Sequence, residues 1–239
     1  MADILIVGAN QGIGYYLTKR LLELGNSVTV LDIQINAIEK LKEKYPETLL
    51  PVIADALNLS DIENGVCLAV KHFGNIDIAV YNACLCTFES AYDSSFEVYR
   101  KVMDVNYFGA LRLAKTVLPY MRETRKGRII FTSSGVGVTG FANISPYASS
   151  KGAIESLARC LKIENEEYGI SFQLFHPPLT NTKSSSGISI PKEFKADAQK
   201  VGYGLADHIW SKKFVICHSF NQAAQMKFCY RHPLSIGKM

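Results

Sequence analysis

Short apolar runs alternate with amphipathic stretches over most of the chain. The runs are "ILIVG" (4–8), "SVTVLD" (27–32), "LLPVIAD" (49–55), "IDIAVYN" (76–82), "GRIIFTSS" (127–134), "ISFQLFHP" (170–177) and "FVICHS" (214–219). Each has the length of a strand. Most are apolar at consecutive rather than alternate positions, as in strands buried on both faces. Between them the apolar residues recur at helical spacing. Ile13, Leu17, Leu21 and Leu24 fall on or near one face, and Gly25 supplies a stop. Further helices are predicted over about 35–45, from Ser60 as N-cap to His72, over about 95–121 with Pro119 near its end, and over 146–168 ending near Gly169.

This alternation predicts an α/β fold. Right-handed crossovers turn it into a doubly wound parallel sheet of about seven strands with helices on both faces. No linker or repeat interrupts residues 1–239, so a single domain is expected. The stretch "LTNTKSSSGISIP" (179–191) is rich in small polar residues and reads as a flexible substrate flap, extending to about 195. Ile188, Ile190 and Phe194 fit either an apolar lid or an ordinary helix packed on the sheet.

Composition narrows the classes. Hydrophobic residues make up 48% and charged residues 20%, enough for a core without disulfides. With 26 basic and 22 acidic residues, the net charge of +4 is too mild to suggest nucleic acid. No apolar run approaches the ~20 residues of a membrane-spanning helix. The six cysteines follow no regular framework, and the first apolar run leaves no room for a targeting segment. A cytoplasmic protein with reduced thiols is therefore expected. Cys217, His218, Cys229 and His232 match no standard zinc spacing, so no metal site is expected. The tail "MKFCYRHPLSIGKM" reads as a packed C-terminal arm, with a neighbouring subunit or a membrane surface as alternatives.

Candidate chemistry begins with "GANQGIG", residues 8–14. Gly8, Gly12 and Gly14 lie between a strand and a helix. Glycine permits the sharp turn and lets phosphate oxygens approach without a Cβ in the way. The helix N-terminus then offers free N–H groups to a pyrophosphate. Residues Asn10, Gln11 and Ile13 of the same turn are cofactor-binding candidates with the three glycines. No Gly-Lys-Ser/Thr follows, which argues against a P-loop. Asp32 ends the second strand, where a carboxylate accepts hydrogen bonds from ribose hydroxyls and repels a 2′-phosphate. NAD is favoured over NADP.

Tyr147 and Lys151 are four residues apart on a predicted helix and share a face. A tyrosine of pKa about 10 is a poor base unless its phenolate is stabilised. The Lys151 ammonium would do so, as would an oxidised nicotinamide. Tyr147 could then exchange a proton with a hydroxyl or carbonyl. Alone, such a pair is common and often structural. Ser134, at the end of the fifth strand, can hydrogen-bond the substrate oxygen beside the tyrosine, because the ligand crevice lies at the C-terminal strand ends. Asn106 falls inside the long fourth helix, where asparagine is disfavoured, so a buried polar role is plausible.

In these residues, and in their order over about 4–182, the chain closely resembles the short-chain dehydrogenase/reductase family. The resemblance also rests on Asp55 after the third strand and Asn82-Ala83 after the fourth. It implies a Rossmann-type sheet, a nicotinamide cofactor, and hydride transfer to or from a small-molecule alcohol or carbonyl. By position it implies Tyr147 as acid/base and Lys151 as the residue that binds the nicotinamide ribose and lowers the tyrosine pKa. Ser134 would polarise the substrate oxygen, and Asn106 would hold a water in the proton relay. Asp55 and Ala56 would lie near the adenine, Asn82 and Ala83 near the adenosine-side ribose or central strands. Pro177 and Thr182 would contact the nicotinamide end or a phosphate. A homotetramer or homodimer is implied, through the helices that contain Asn106 and Tyr147.

Three positions depart from the family pattern: Val7 replaces a threonine, "YNAC" (81–84) puts Cys84 where glycine is usual, and Pro178 replaces a second glycine. The segment "PPLTNT" (177–182) also resembles that of 3-ketosphinganine reductases, which use NADPH. The leading expectation is an NAD(H)-dependent oxidoreductase of a secondary alcohol or ketone. The alternatives are an NADPH-linked reductase of a long-chain lipid ketone, and a dinucleotide-sensing or scaffold protein without turnover.

Overall fold

The seven apolar runs form seven strands: β1 (Asp3–Val7), β2 (Ser27–Asp32), β3 (Leu49–Ile53), β4 (Ile78–Tyr81), β5 (Gly127–Thr132), β6 (Ile170–Phe175) and β7 (Val215–Ile216). All neighbours pair in parallel, in the order β3-β2-β1-β4-β5-β6-β7. The structure, a computed structural model, describes residues 1–188 and 190–236. Residue 189 of the expected flap and residues 237–239 of the tail lie outside the described residues.

Helices cover both faces, each with its own apolar layer. α1 (Gly12–Glu23), α2 (Asn36–Lys42) and α8 (Ala198–His208) lie on one side, where Leu17, Leu21, Ile38, Val201 and Leu205 meet Ile4, Ile6, Val28 and Val30. On the other side, α3 (Leu59–Phe73), α5 (Gly109–Thr124) and α7 (Ser145–Asn165) bring Val66, Leu113, Val117 and Ile154 against Leu5, Phe131 and Phe172. Strands buried on both faces explain the unbroken apolar runs in the sequence.

Several boundaries differ from expectation, for local reasons. Asn58, not Ser60, caps α3: its side chain accepts the Ser60 N–H at 3.1 Å. The α3 helix then stops at Gly74, whose φ of 90° suits glycine. The long helix expected over 95–121 is α4 (Phe96–Met103), a π-turn at Asp104–Phe108, then α5. The π-turn adjoins Tyr81, whose hydroxyl donates to the Val105 carbonyl. A Cβ on Gly109 would lie 2.7 Å from the Tyr81 Cζ, so glycine is needed where helix and phenol meet.

The last seventy residues were least legible. β7 has only two residues, because only the Phe214, Val215 and Ile216 backbone reaches β6. Asp197 caps α8, accepting the Lys200 N–H at 2.9 Å. Gly202 lets α8 approach the α1 backbone at Ile13 and Leu17. A short α6 (Val136–Thr139) and the C-terminal α9 (Phe220–Arg231) and α10 (Pro233–Ile236) complete the chain. The flap region carries two 3₁₀ turns, Lys183–Ser185 and Lys192–Phe194, rather than a longer helix. Lys195 Nζ ties it together, donating to the Ser185 carbonyl at 2.8 Å and the Ile188 carbonyl at 3.2 Å. Phe194 is 78% exposed and covers nothing, whereas Gly187 packs against the Phe88 ring of the loop after β4.

Gly109→Ala is expected to destabilise the protein by about 1–3 kcal/mol through overpacking. Adding Tyr81→Phe should recover part of that loss, because it removes the nearest atom. A urea-denaturation double-mutant cycle measures the coupling. Additive losses would mean that the two residues do not compete for space.

Candidate active site

In this strand order, the crossovers from β1 and β4 leave in opposite directions. The C-terminal ends of β1 and β4 therefore bound a crevice, the usual ligand position in such a sheet. Gly8 follows β1 and Asn82-Ala83 follow β4. Val7's carbonyl accepts both the Asn82 and Ala83 N–H groups, at 2.8 and 2.9 Å. This main-chain link uses the residue at position 7 without needing a side-chain hydroxyl there.

The turn is closely packed. Gly8 has φ 85° and a Cβ there would lie 2.5 Å from the Ala83 Cα. A Cβ on Gly14 would lie 2.8 Å from both the Ala9 Cα and the Asn82 Nδ2. Gly12 has φ 59° and faces the Thr182 methyl, 3.2 Å from where its Cβ would be. Asn82 Nδ2 donates to the Gly8 carbonyl at 2.7 Å. Gln11 makes no side-chain cap on α1, and no acidic residue occupies its first turn. The first N–H groups of α1, including those of Gly12 and Ile13, are thus available to an anion. These features fit a dinucleotide pyrophosphate.

Asn10 braces the turn. Its backbone N–H donates to Asp32 Oδ2 at 2.9 Å, and its Oδ1 accepts the Ala37 N–H at 2.8 Å. Asp32 Oδ1 accepts the Gln34 N–H at 3.2 Å. Asn10 is buried and acts on protein partners, whereas the half-buried Asp32 carboxylate retains acceptor capacity. Asp55 is exposed and caps its own loop through the Leu57 N–H at 2.9 Å. The buried Ala56 offers its carbonyl to Arg112 at 3.1 Å. Pro177 is half-buried in the loop after β6.

The catalytic candidates meet this cradle through Thr132, at the end of β5. Lys151 is buried, and its Nζ donates to the Thr132 carbonyl at 2.7 Å. The Thr132 hydroxyl donates to Asn82 Oδ1 at 3.2 Å. Lys151 Nζ is 5.6 Å from the centroid of the Tyr147 ring. Ser134 follows in the loop after β5, and its hydroxyl approaches the Tyr147 phenol. Asn106, in the π-turn, is fully buried. Its Nδ2 donates to the Leu85 carbonyl and to Ser150 Oγ, both at 2.9 Å, while its Oδ1 accepts the Leu85 N–H at 2.7 Å. Both amide hydrogens are spent on protein, so only an Oδ1 lone pair remains for a water.

The electrostatics differ from the expectation that Lys151 lowers the Tyr147 pKa. In the protein alone, burial pushes the phenol well above its usual value, and the neighbouring Cys84 and Cys86 act in the same direction. The Ser134 hydroxyl opposes them. Burial also pulls the Lys151 ammonium down, although Cys84 and Cys86 favour its charge. Desolvation penalises both charged forms here. Cys86 is itself raised to about 12, chiefly by burial, which keeps it a thiol. Three contributors escaped the sequence reading: Thr132, Ser150 and Tyr81. Thr132 had a signal, since it precedes Ser133-Ser134 at a strand end. Ser150 and Tyr81 had none without the π-turn.

A doubly wound sheet with a glycine turn at its switch point, joined to a Tyr-Lys pair, fits the dinucleotide-binding class of α/β proteins. The sequence profile of the short chain dehydrogenase family matches residues 2–192, and the chain belongs to that family, whose members bind a nicotinamide dinucleotide. It is 29% identical over 172 residues to human dehydrogenase/reductase SDR family member 7, covering 69% of this chain and 51% of that protein. It is 28% identical over 189 residues to bovine 3-ketodihydrosphingosine reductase, covering 76% of this chain and 57% of that one. The chain thus spans little more than half the length of these relatives. Among solved structures, 3-ketoacyl-(acyl-carrier-protein) reductase from Brucella melitensis, complexed with NADH, superposes with a TM-score of 0.80 at 23% identity. The match covers 87% of this chain and 89% of that one. No described helix is long and apolar enough to cross a membrane. No group of three or more metal-binding side chains occurs among the described residues.

Asn82→Ala removes the links to both Gly8 and Thr132. It is expected to cost about 1–3 kcal/mol in urea denaturation, the range for buried groups left without partners. NADH affinity, followed by nicotinamide fluorescence, should fall with it. Unchanged affinity would separate Asn82 from the cofactor cradle.

Proposed function

We propose that this chain transfers hydride between NAD(H) and a secondary alcohol or ketone. The observation that carries this reading is one hydrogen-bonded path, Lys151 to Thr132 to Asn82 to Gly8, which joins the Tyr147 acid/base to the dinucleotide turn. Bound nicotinamide supplies the hydride acceptor or donor. Everything else is done by the chain itself. In the oxidation direction, the Tyr147 phenolate takes the hydroxyl proton as the carbinol hydride leaves. Ser134 holds the substrate oxygen. Lys151 stands beside the ring, its Nζ 5.6 Å from the Tyr147 centroid, and the Ser134 hydroxyl opposes the burial that favours the neutral phenol. Asn106 fixes the loop after β4 against α7 through Leu85 and Ser150.

Asp32 supports NAD over NADP. Its carboxylate is held by the Asn10 and Gln34 N–H groups, where it would accept ribose hydroxyls and repel a 2′-phosphate. A lipid-ketone reductase is a second reading. It is favoured by "PPLTNT" and by the similarity to bovine 3-ketodihydrosphingosine reductase, and opposed by Asp32. A homodimer or homotetramer is supported by the apolar groove at α3 and α5, where Leu59, Phe108, Leu111 and Tyr120 lie. Six free cysteines are consistent with a reducing cytoplasm.

A screen of alcohols and ketones with both cofactors, read at the absorbance of reduced nicotinamide, tests the activity. Tyr147→Phe is expected to lower turnover by about 10²-fold or more while NADH binding persists. Full activity in that variant would defeat the mechanism. Asp32→Ala should shift the ratio of NAD to NADP affinity toward NADP, and a parent chain that binds NADP more tightly than NAD would overturn the cofactor assignment.

A further inference from the structure

The C-terminal helix α9 has a small apolar anchor. Only Gln222, Met226 and Cys229 are buried along it, while Phe220 is 87% exposed and Phe228 53%. A polar contact instead takes α9 into the centre of the molecule. The Tyr230 hydroxyl donates to Glu155 Oε2 at 2.7 Å. Glu155 is buried on α7, four residues after Lys151 and so on the same face.

Three further groups converge on that carboxylate. Ser133 Oγ donates to Oε1 at 2.7 Å, and Arg159 Nη2 donates to Oε2 at 3.0 Å. His176 Nε2 lies 2.7 Å from Oε1 and 3.1 Å from the Tyr230 oxygen. The imidazole is fully buried, and its Nδ1 has no partner among the described residues. A proton on Nδ1 would be a buried donor without an acceptor. The arrangement therefore suits a neutral ring that donates from Nε2 to Glu155. The cluster holds one ionised carboxylate with four donors, the condition under which a buried charge is tolerated. Burial raises the Glu155 pKa, but contact with His176, Ser133 and Tyr230 outweighs it and leaves the carboxyl below its usual value.

The neighbours of these donors matter more than the donors. Ser133 immediately precedes Ser134. His176 immediately precedes Pro177-Pro178, which open the loop after β6 whose Thr182 faces Gly12. Glu155 lies one helical turn from Lys151. Neither the transfer chemistry nor the dinucleotide turn uses any of the four donors.

We propose that Glu155 is a positioning residue that sets the catalytic serine segment, the loop after β6 and the Tyr-Lys helix relative to one another, and that α9 belongs to this assembly through Tyr230. The inference rests on the reading of the chain as a nicotinamide-dependent oxidoreductase. It assigns a role in nicotinamide-end geometry to a helix that lies beyond the residues matched by the family profile.

The test compares two probes in the full chain: NADH, and ADP-ribose, which keeps the adenosine and pyrophosphate but lacks nicotinamide. Tyr230→Phe removes only the hydroxyl. It is expected to weaken NADH about fivefold or more while ADP-ribose affinity stays within about twofold. Ser133→Ala approaches the same carboxylate from the sheet side and should give the same split, which keeps the test usable if the Tyr230 variant fails to fold. Parallel loss for both probes would mean general loosening and would overturn the proposal, as would no change in either. A parent chain that binds neither probe would instead sink the dinucleotide reading, and the proposal with it.

Discussion

The site depends on how closely the ends of β1 and β4 approach. A Cβ at Gly8 or Gly14 would occupy space already filled by Ala83, Ala9 or Asn82. Because those positions lack one, Asn82 can reach the Gly8 carbonyl and still receive the Thr132 hydroxyl. Thr132 then holds Lys151 through its own carbonyl. A single side-chain amide thus ties a sterically enforced glycine turn to the strand end that holds Lys151. Loss of register between β1, β4 and β5 would break the path, since Thr132, Asn82 and Gly8 each sit at a strand end.

Burial sets the chemistry of the second half of that path. Lys151 is charged in a place that disfavours charge, and its one close partner in the path is a neutral carbonyl. Tyr147 is held as a phenol by the same desolvation. Burial thus disfavours the charged form of both side chains.

Most of the sheet was legible because strands buried on both faces leave continuous apolar runs, and because Gly8, Gly12, Gly14 and Asp32 recur at strand ends where a motif can be read. The four-residue spacing of Tyr147 and Lys151 puts them on one helix, and Ser134 follows a strand end, as the structure has them. What spacing could not convey was how each polar group is used. Asn106 reads as a disfavoured helix residue, yet the π-turn that accommodates it depends on Tyr81, distant in sequence. α8 and α9 were missed because their anchors are few: Val201, Leu205 and Ala206 on one, Met226 and Cys229 on the other. Their placement rests on Gly202 against α1 and Tyr230 against Glu155, contacts between residues far apart in the chain.

Two of the departures from the family pattern, Val7 and Cys84, can be traced through these contacts. Val7 needs no hydroxyl, because its carbonyl already holds both N–H groups after β4. Tyr81, the first residue of "YNAC", turns away from the cofactor side and docks its hydroxyl on the π-turn carbonyl beside Gly109. Cys84 lies close enough to influence both Tyr147 and Lys151, and burial keeps its neighbour Cys86 a thiol. The segment is thus anchored on the π-turn between α4 and α5, and the path from Lys151 to Gly8 runs beside it intact.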